Sequence, residues 1–189
     1  MLTFFLGPSG VGKSTVMKKL INNHGWRKIP VYTTRPARAN DDKVSITPDD
    51  FLRRADLGHF FRYSKMFGEF YGNDKASILD AMSYSSSQHW CLDMKDSELK
   101  YYPYPNILKI IILPETFEQL SIQVRADNRS DFSRDLREEL RSYQEMCVTD
   151  AKSDQHIVIN THGDVEETVA QSLNAAKFFF ENKDERSKC

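Results

Sequence analysis

The chain has little cysteine, no long hydrophobic run and no surplus of either charge. Its three cysteines, Cys91, Cys147 and Cys189, are odd in number and far apart in sequence. That spacing builds neither a disulfide framework nor a zinc site, and it reads as reduced thiols in a protein of cytoplasmic type. The longest apolar run is Ile110 to Leu113, far short of the ~20 residues that a membrane-spanning helix needs. The opening stretch to Leu6 is apolar, but Gly7 and Pro8 end it and no basic residues precede it, so no leader and no membrane partner are expected. Lys and Arg number 26 against 27 Asp and Glu, which removes the bulk positive charge expected of a nucleic-acid binder. Apolar residues are 40% of the 189, enough for one packed domain and too many for a disordered chain.

Short apolar runs alternate with longer amphipathic stretches. Strands are predicted at 3–6, 29–33, 90–92, 108–113 and 156–159, rich in Ile, Val, Phe and Leu with little alternation, as in strands covered on both faces. Helices are predicted at 13–24, 48–56, 74–83, 114–127, 133–151 and 165–182. The alternation predicts an α/β fold with a doubly wound, mostly parallel five-stranded sheet and helices on both faces. Residues 35–70 are polar, charged and aromatic, with no strong strand, and read as a small inserted subdomain or flap. Residues 183–189 read as a frayed tail.

One motif is specific. Gly7-Pro8-Ser9-Gly10-Val11-Gly12-Lys13-Ser14 fits Gly-x-x-x-x-Gly-Lys-Ser/Thr in full, after an apolar strand and before a helical pattern. Glycines let the backbone curl so that several N–H groups face one anion, and the helix N-terminus adds its positive dipole end. In such a loop Lys13 can reach the β- and γ-phosphates of a bound nucleotide, and Ser14 can ligate Mg²⁺. Asp93, closing the 90–92 strand, is the candidate for the metal's water shell.

With that loop in place, the chain resembles the guanylate kinase family of P-loop nucleoside monophosphate kinases over about residues 2–175. The matching pieces are the phosphate loop through Thr15, then Thr33-Thr34-Arg35-Pro36-Ala37-Arg38, Gly68-Glu69-Phe70-Tyr71-Gly72, Leu92-Asp93, Ile110 to Pro114, and His156 to Asn160. The resemblance implies a P-loop fold of three parts in a single domain: a core (1–31, 87–124, 142–182), an acceptor-binding subdomain (32–86) and an arginine-bearing lid (125–141). It implies transfer of the γ-phosphoryl group of Mg-ATP onto the phosphate of a nucleoside monophosphate, GMP or dGMP by default, in a monomer or homodimer. Arg35, Arg38 and Tyr71 would grip the acceptor phosphate, guanidinium forks suiting that bidentate task. Arg129 and Arg137 would serve as catalytic lid arginines, and Asn160 would lie against the adenine of ATP.

The acceptor-base positions depart from the family. Where it carries two carboxylates for guanine, this chain has Arg62 and Lys95, which have no hydrogen-bond acceptor; where it carries Ser, this chain has Asn73. Either another group such as Glu69 reads guanine, or the acceptor is different: ribose 1,5-bisphosphate, or another (d)NMP such as a pyrimidine or a modified deoxynucleotide. The family also has an arginine near position 139, where this chain has Glu139. A non-catalytic guanylate-kinase-like interaction module is the alternative of another class, although such modules usually have a degraded phosphate loop. A switch GTPase would need a guanine-reading Asn-Lys-x-Asp segment, which is absent.

Overall fold

The computed structural model describes residues 1–37, 42–66, 68–83, 87–104, 106–126, 135–149, 154–160 and 164–186. In chain order the elements are β1 (Leu2–Leu6), α1 (Lys13–His24), β2 (Arg27–Lys28), β3 (Val31–Thr33), β4 (Val44–Ser45), α2 (Pro48–Asp56), β5 (Phe60–Met66), β6 (Glu69–Asp74), α3 (Lys75–Met82), β7 (Trp90–Asp93), a 3₁₀ turn (Asp96–Tyr101), β8 (Ile107–Pro114), α4 (Phe117–Ala126), α5 (Leu136–Thr149), β9 (Gln155–Asn160) and α6 (Val165–Arg186).

Five strands form an all-parallel sheet in the order β2-β7-β1-β8-β9. Every residue of β1 is buried, as are all but Lys109 of β8, which is why these segments read as unbroken apolar runs. α1 and α6 pack on each other and on the sheet, while α3, α4 and α5 pack against β1 and β8. The sheet delivers the C-terminal ends of β1, β7 and β8 side by side, with Phe5 in register with Asp93 and Ile110. An α/β crevice of this kind is where ligands bind.

A second sheet, in the order β4-β3-β6-β5, stands apart from the first. The predicted strand 29–33 is in fact divided between the two. Ile29 N–H still donates to Cys91 O at 3.0 Å, but Pro30 has no N–H with which to continue the ladder, and its carbonyl accepts instead from Asp74 N–H at 3.0 Å. The fifth core strand is therefore Arg27–Lys28, and Val31–Thr33 belongs to the small sheet.

The small sheet also holds the hairpin β5–β6, inside the stretch where no strong strand is expected. Its alternation is easy to miss because Lys65 stands on the mostly aromatic face and Tyr71 on the mostly polar one. Tyr32, Tyr63, Phe70 and Gly72 face α2. There the fully buried Phe51 meets Phe60 at 4.5 Å, Phe70 at 5.3 Å and Tyr63 at 5.9 Å between ring centroids. A Cβ on Gly72 would lie 2.8 Å from the Phe60 ring, so only glycine fits.

Helix ends follow local chemistry. Thr47 and Asp74 cap α2 and α3 by accepting from Asp50 N–H (3.2 Å) and Ser77 N–H (2.8 Å). Helix α4 starts at Phe117 rather than at Pro114, which is the last residue of β8. Helix α6 continues through Arg186, past the expected start of the tail, because Lys183, Glu185 and Arg186 are good helix formers. Among the described residues no helix is long and apolar enough to cross a membrane.

Candidate active site

The turn from β1 to α1 is the geometric centre of the site. Gly7, Gly10 and Gly12 have φ of 136°, 82° and 102°, values that L side chains rarely adopt, and this curl is what gathers backbone N–H groups around an anion. Packing also demands glycine: a Cβ at Gly7 would lie 2.1 Å from Ile112 O, and one at Gly10 2.3 Å from Val124 Cγ2. The loop is thus seated on β8 and α4.

Lys13, the first residue of α1, folds back over the loop. Its Nζ donates to Gly7 O at 2.7 Å and Pro8 O at 3.0 Å, and lies 3.9 Å from Asp93 Oδ1. With the side chain only 11% exposed, the ammonium is held at the loop rather than waving in solvent. Ser14 follows on the first turn of α1, partly exposed. Among the described residues no three acidic, His or Cys side chains cluster to hold a metal by themselves. The candidate metal donors are instead the Ser14 hydroxyl and the Asp93 carboxylate. That is the sparse protein donor set on which Mg²⁺ relies when substrate phosphates and water complete its shell.

Asn160 departs from expectation. It is 5% exposed, with Nδ2 donating to Val11 O at 2.6 Å and Oδ1 accepting from Thr168 Oγ1 at 3.2 Å. Its own carbonyl accepts from Gln119 Nε2 at 3.0 Å. The side chain expected against adenine is spent bracing the phosphate loop from beneath. The parallel pairing of β8 with β9 causes this, since it ends with Pro114 opposite Asn160, alongside β1. Sequence reasoning missed the supporting Gln119 and Thr168; the signal for Thr168 was a polar residue within the buried stripe of Thr168, Val169 and Ser172 on α6.

Helix α5 brings a carboxylate to the loop. Ser9 Oγ donates to Glu139 Oε1 at 3.2 Å, and Glu139 Oε2 is buried with no hydrogen-bond partner among the described residues. Tyr143, one turn on, is 4% exposed. Burial, reinforced by the carboxylates of Asp96, Glu139 and Asp93, pushes its phenol well above the usual range. Arg137, expected to be catalytic, stands two residues from Glu139 and so points elsewhere on the helix. Its guanidinium lies 3.9 Å from the Phe117 ring centroid, in a cavity of about 260 Å³ also lined by Pro114, Thr116, Leu140 and Gln144. Arg129 lies outside the described residues, as does Arg38.

The face of the small sheet turned away from α2 carries the proposed acceptor residues. Register puts Thr33 opposite Tyr71, Tyr71 opposite Ser64 and Asn73 opposite Arg62, so these side chains share one surface. Arg35 follows β3, half-buried, with its N–H bonded to Thr33 Oγ1 at 3.1 Å. Thr34 Oγ1 donates to Glu69 Oε2 and accepts from Phe70 N–H. Arg62 Nε donates to Glu98 Oε2 at 3.2 Å, and its guanidinium stacks 3.3 Å from the Tyr101 ring centroid. Asn73 Nδ2 donates to Tyr102 Oη at 2.8 Å. Lys95, exposed, precedes the 3₁₀ turn that supplies Glu98 and Tyr101. Tyr71, Arg62 and Asn73 thus lie on one small sheet with Arg35 just beyond its strand β3, and the turn meets that sheet through Glu98 at Arg62 and Tyr102 at Asn73.

Comparison with known proteins agrees with this architecture. The family model described as Guanylate kinase matches residues 2–176. The chain is 28% identical over 180 residues to the guanylate kinase of Paraburkholderia xenovorans (strain LB400), covering 93% of this chain and 79% of that one. It is 26% identical over 181 residues to the guanylate kinase of Prochlorococcus marinus subsp. pastoris, covering 93% and 96%. Among solved structures, the guanylate kinase from Anaplasma phagocytophilum superimposes with a TM-score of 0.61 at 22% identity, covering 92% of this chain and 82% of that one. A gluconokinase from Sinorhizobium meliloti 1021 gives 0.56 at 16% identity, covering 98% and 96%, a likeness of fold. With a family match running over nearly its whole length and a glycine-built phosphate loop at the ends of its parallel strands, the chain belongs to the guanylate kinase family.

Proposed function

We propose that the protein transfers the γ-phosphoryl group of Mg-ATP onto the phosphate of a small phosphorylated acceptor, a nucleoside monophosphate with GMP and dGMP as the default. The observation that carries this reading is the loop itself. Three positive-φ glycines shape it, and a clamped Lys13 lies 3.9 Å from Asp93 at the neighbouring strand end. A pure scaffold has no need of such a cradle, since three positive-φ glycines carry an entropic cost and an ammonium held at 11% exposure serves an anion rather than the fold.

Phosphoryl transfer asks a protein chiefly to position two anions and to neutralise the charge between them. The loop amides and Lys13 would hold the β- and γ-phosphates, and Lys13 would exchange its bonds to Gly7 O and Pro8 O for phosphate oxygens. Ser14 and Asp93 would hold Mg²⁺, which when bound offsets phosphate charge. Arg35 and Tyr71, with Arg38, would place the acceptor phosphate from the small sheet, facing the cleft. Which lid arginine completes the site, Arg129 or Arg137, is decided by closure over ATP.

Turnover assays with Mg-ATP and a panel of phosphorylated acceptors test the reading. Lys13→Ala is expected to abolish turnover and leave the melting temperature nearly unchanged. A wild-type protein that neither turns over any acceptor nor gains thermal stability with ATP would mark a scaffold instead. A different acceptor is a second reading, favoured by one observation: Arg62 occupies the base end of the acceptor face.

A further inference from the structure

We infer that the protein reads a 6-oxopurine acceptor through the base's O6/N7 edge, with Arg62 as the specificity-determining residue and Asn73 beside it. This rests on the nucleotide kinase reading above and names what its acceptor site recognises.

The argument starts from how Arg62 is held. It pairs in register with Asn73 and lies on the same sheet face as Tyr71, its diagonal neighbour on β6. Its guanidinium is fixed twice, by the stack on Tyr101 at 3.3 Å and by the bond from Nε to Glu98 at 3.2 Å. Among the described residues nothing bonds to its two terminal nitrogens, and the side chain is 32% exposed. A flexible cation has thereby become a rigid, oriented fork of donors. Such a fork fits paired acceptors. In a purine, O6 and N7 of guanine or hypoxanthine are that pair, and arginine is their commonest reader.

Asn73 supplies the complement. Its Nδ2 is engaged with the buried Tyr102 hydroxyl, which fixes the amide and leaves Oδ1 as an acceptor with no partner among the described residues. An acceptor next to the fork matches N1–H, which adjoins O6 on the same ring. Together the pair reads N7, O6 and N1–H. The 2-amino group is left unread by these two residues, because the guanidinium has no acceptor and the single free amide oxygen is taken up by N1–H. Adenine fails the pattern, because it presents an amino donor where O6 should be.

The experiment is a kinetic panel with Mg-ATP and GMP, IMP, 7-deaza-GMP, AMP, UMP and ribose 1,5-bisphosphate. IMP is expected to match GMP in kcat/KM within about threefold, since the group that separates them is not read. Loss of the N7 acceptor in 7-deaza-GMP is expected to cost about 10- to 100-fold, and AMP more. Arg62→Gln should raise the KM for GMP with little change in kcat or in the KM for ATP, and it should erase the 7-deaza-GMP penalty. Arg62→Lys, which keeps the charge, should not rescue GMP. The substrate analogues test the idea on the wild-type protein, so an unstable variant does not leave it open. Discrimination against IMP by more than about 100-fold, or equal use of 7-deaza-GMP and GMP, would overturn it. Turnover of UMP or ribose 1,5-bisphosphate in preference to GMP would also overturn it while leaving the kinase reading intact. No turnover with any acceptor would remove both.

Discussion

Truncating Asn160 to alanine isolates the brace beneath the phosphate loop. The side chain is buried, with a bond to Val11 O at 2.6 Å and one from Thr168 Oγ1 at 3.2 Å. Alanine breaks both. The Thr168 hydroxyl keeps a second acceptor, Asp164 O at 3.3 Å, so most of its loss is recovered. Among the described residues the Val11 carbonyl has no such alternative, and Val11 itself is fully buried. One net hydrogen bond is worth about 1 kcal/mol, and a stranded buried acceptor costs about 1–3 kcal/mol more, giving a total of about 2–4 kcal/mol. For a chain of this size the melting temperature should fall by roughly 5–15 °C. Asn160→Asp keeps the shape but turns an acceptor toward the Val11 carbonyl, and should be at least as damaging. Chemical denaturation with an unchanged slope measures the loss. Calorimetry below the transition should show weaker ATP binding, because the loop amides are no longer held in place. A cost under about 1 kcal/mol with unaltered ATP affinity would refute the brace.

Glu139→Gln removes a negative charge from beside Ser9 and should tighten ATP binding by about threefold to tenfold, measured by calorimetry; weaker binding would show that the carboxylate assists the nucleotide. Acid stability tests the link between the core and the small sheet. Burial pushes the Asp42 carboxyl up, but its bond to Lys28 and the charges of Lys28 and Lys43 outweigh this and hold it at about 2 against an ordinary 3.8. A depressed folded-state value means the contribution, about 1 kcal/mol once solvent screening of this partly exposed pair is allowed for, is present above pH 4 and is lost as pH falls toward 2. Asp42→Asn should therefore destabilise at pH 7 and match the wild type near pH 2 in urea melts; a constant difference across that range would contradict the assignment.

What could be read in advance was what single segments encode. β1 and β8 are apolar without a break because both of their faces are covered, and the phosphate loop announces itself by spacing. The hairpin β5–β6 was illegible because its buried face borrows Phe51 from α2, so neither strand looks apolar alone. The division of 29–33 turns on one missing donor at Pro30. Asn160 could be placed at a strand end, but not beneath Val11, 149 positions earlier, because that contact exists only once β9 lies beside β8. Arg62 looked like a plain reversal of charge in the acceptor pocket. Its clamp by Glu98 and Tyr101 depends on a 3₁₀ turn that no periodicity foretells.

The chain passes from one sheet to the other within three residues, with Ile29 still hydrogen-bonded to β7 and Val31 already paired with Asn73. A strap so short can twist but cannot lengthen. The ring of Pro30 freezes one of its few rotatable bonds. A swing of the acceptor sheet about this point by a few degrees would carry the far end of the hairpin, about 20 Å away, by only about 1–2 Å.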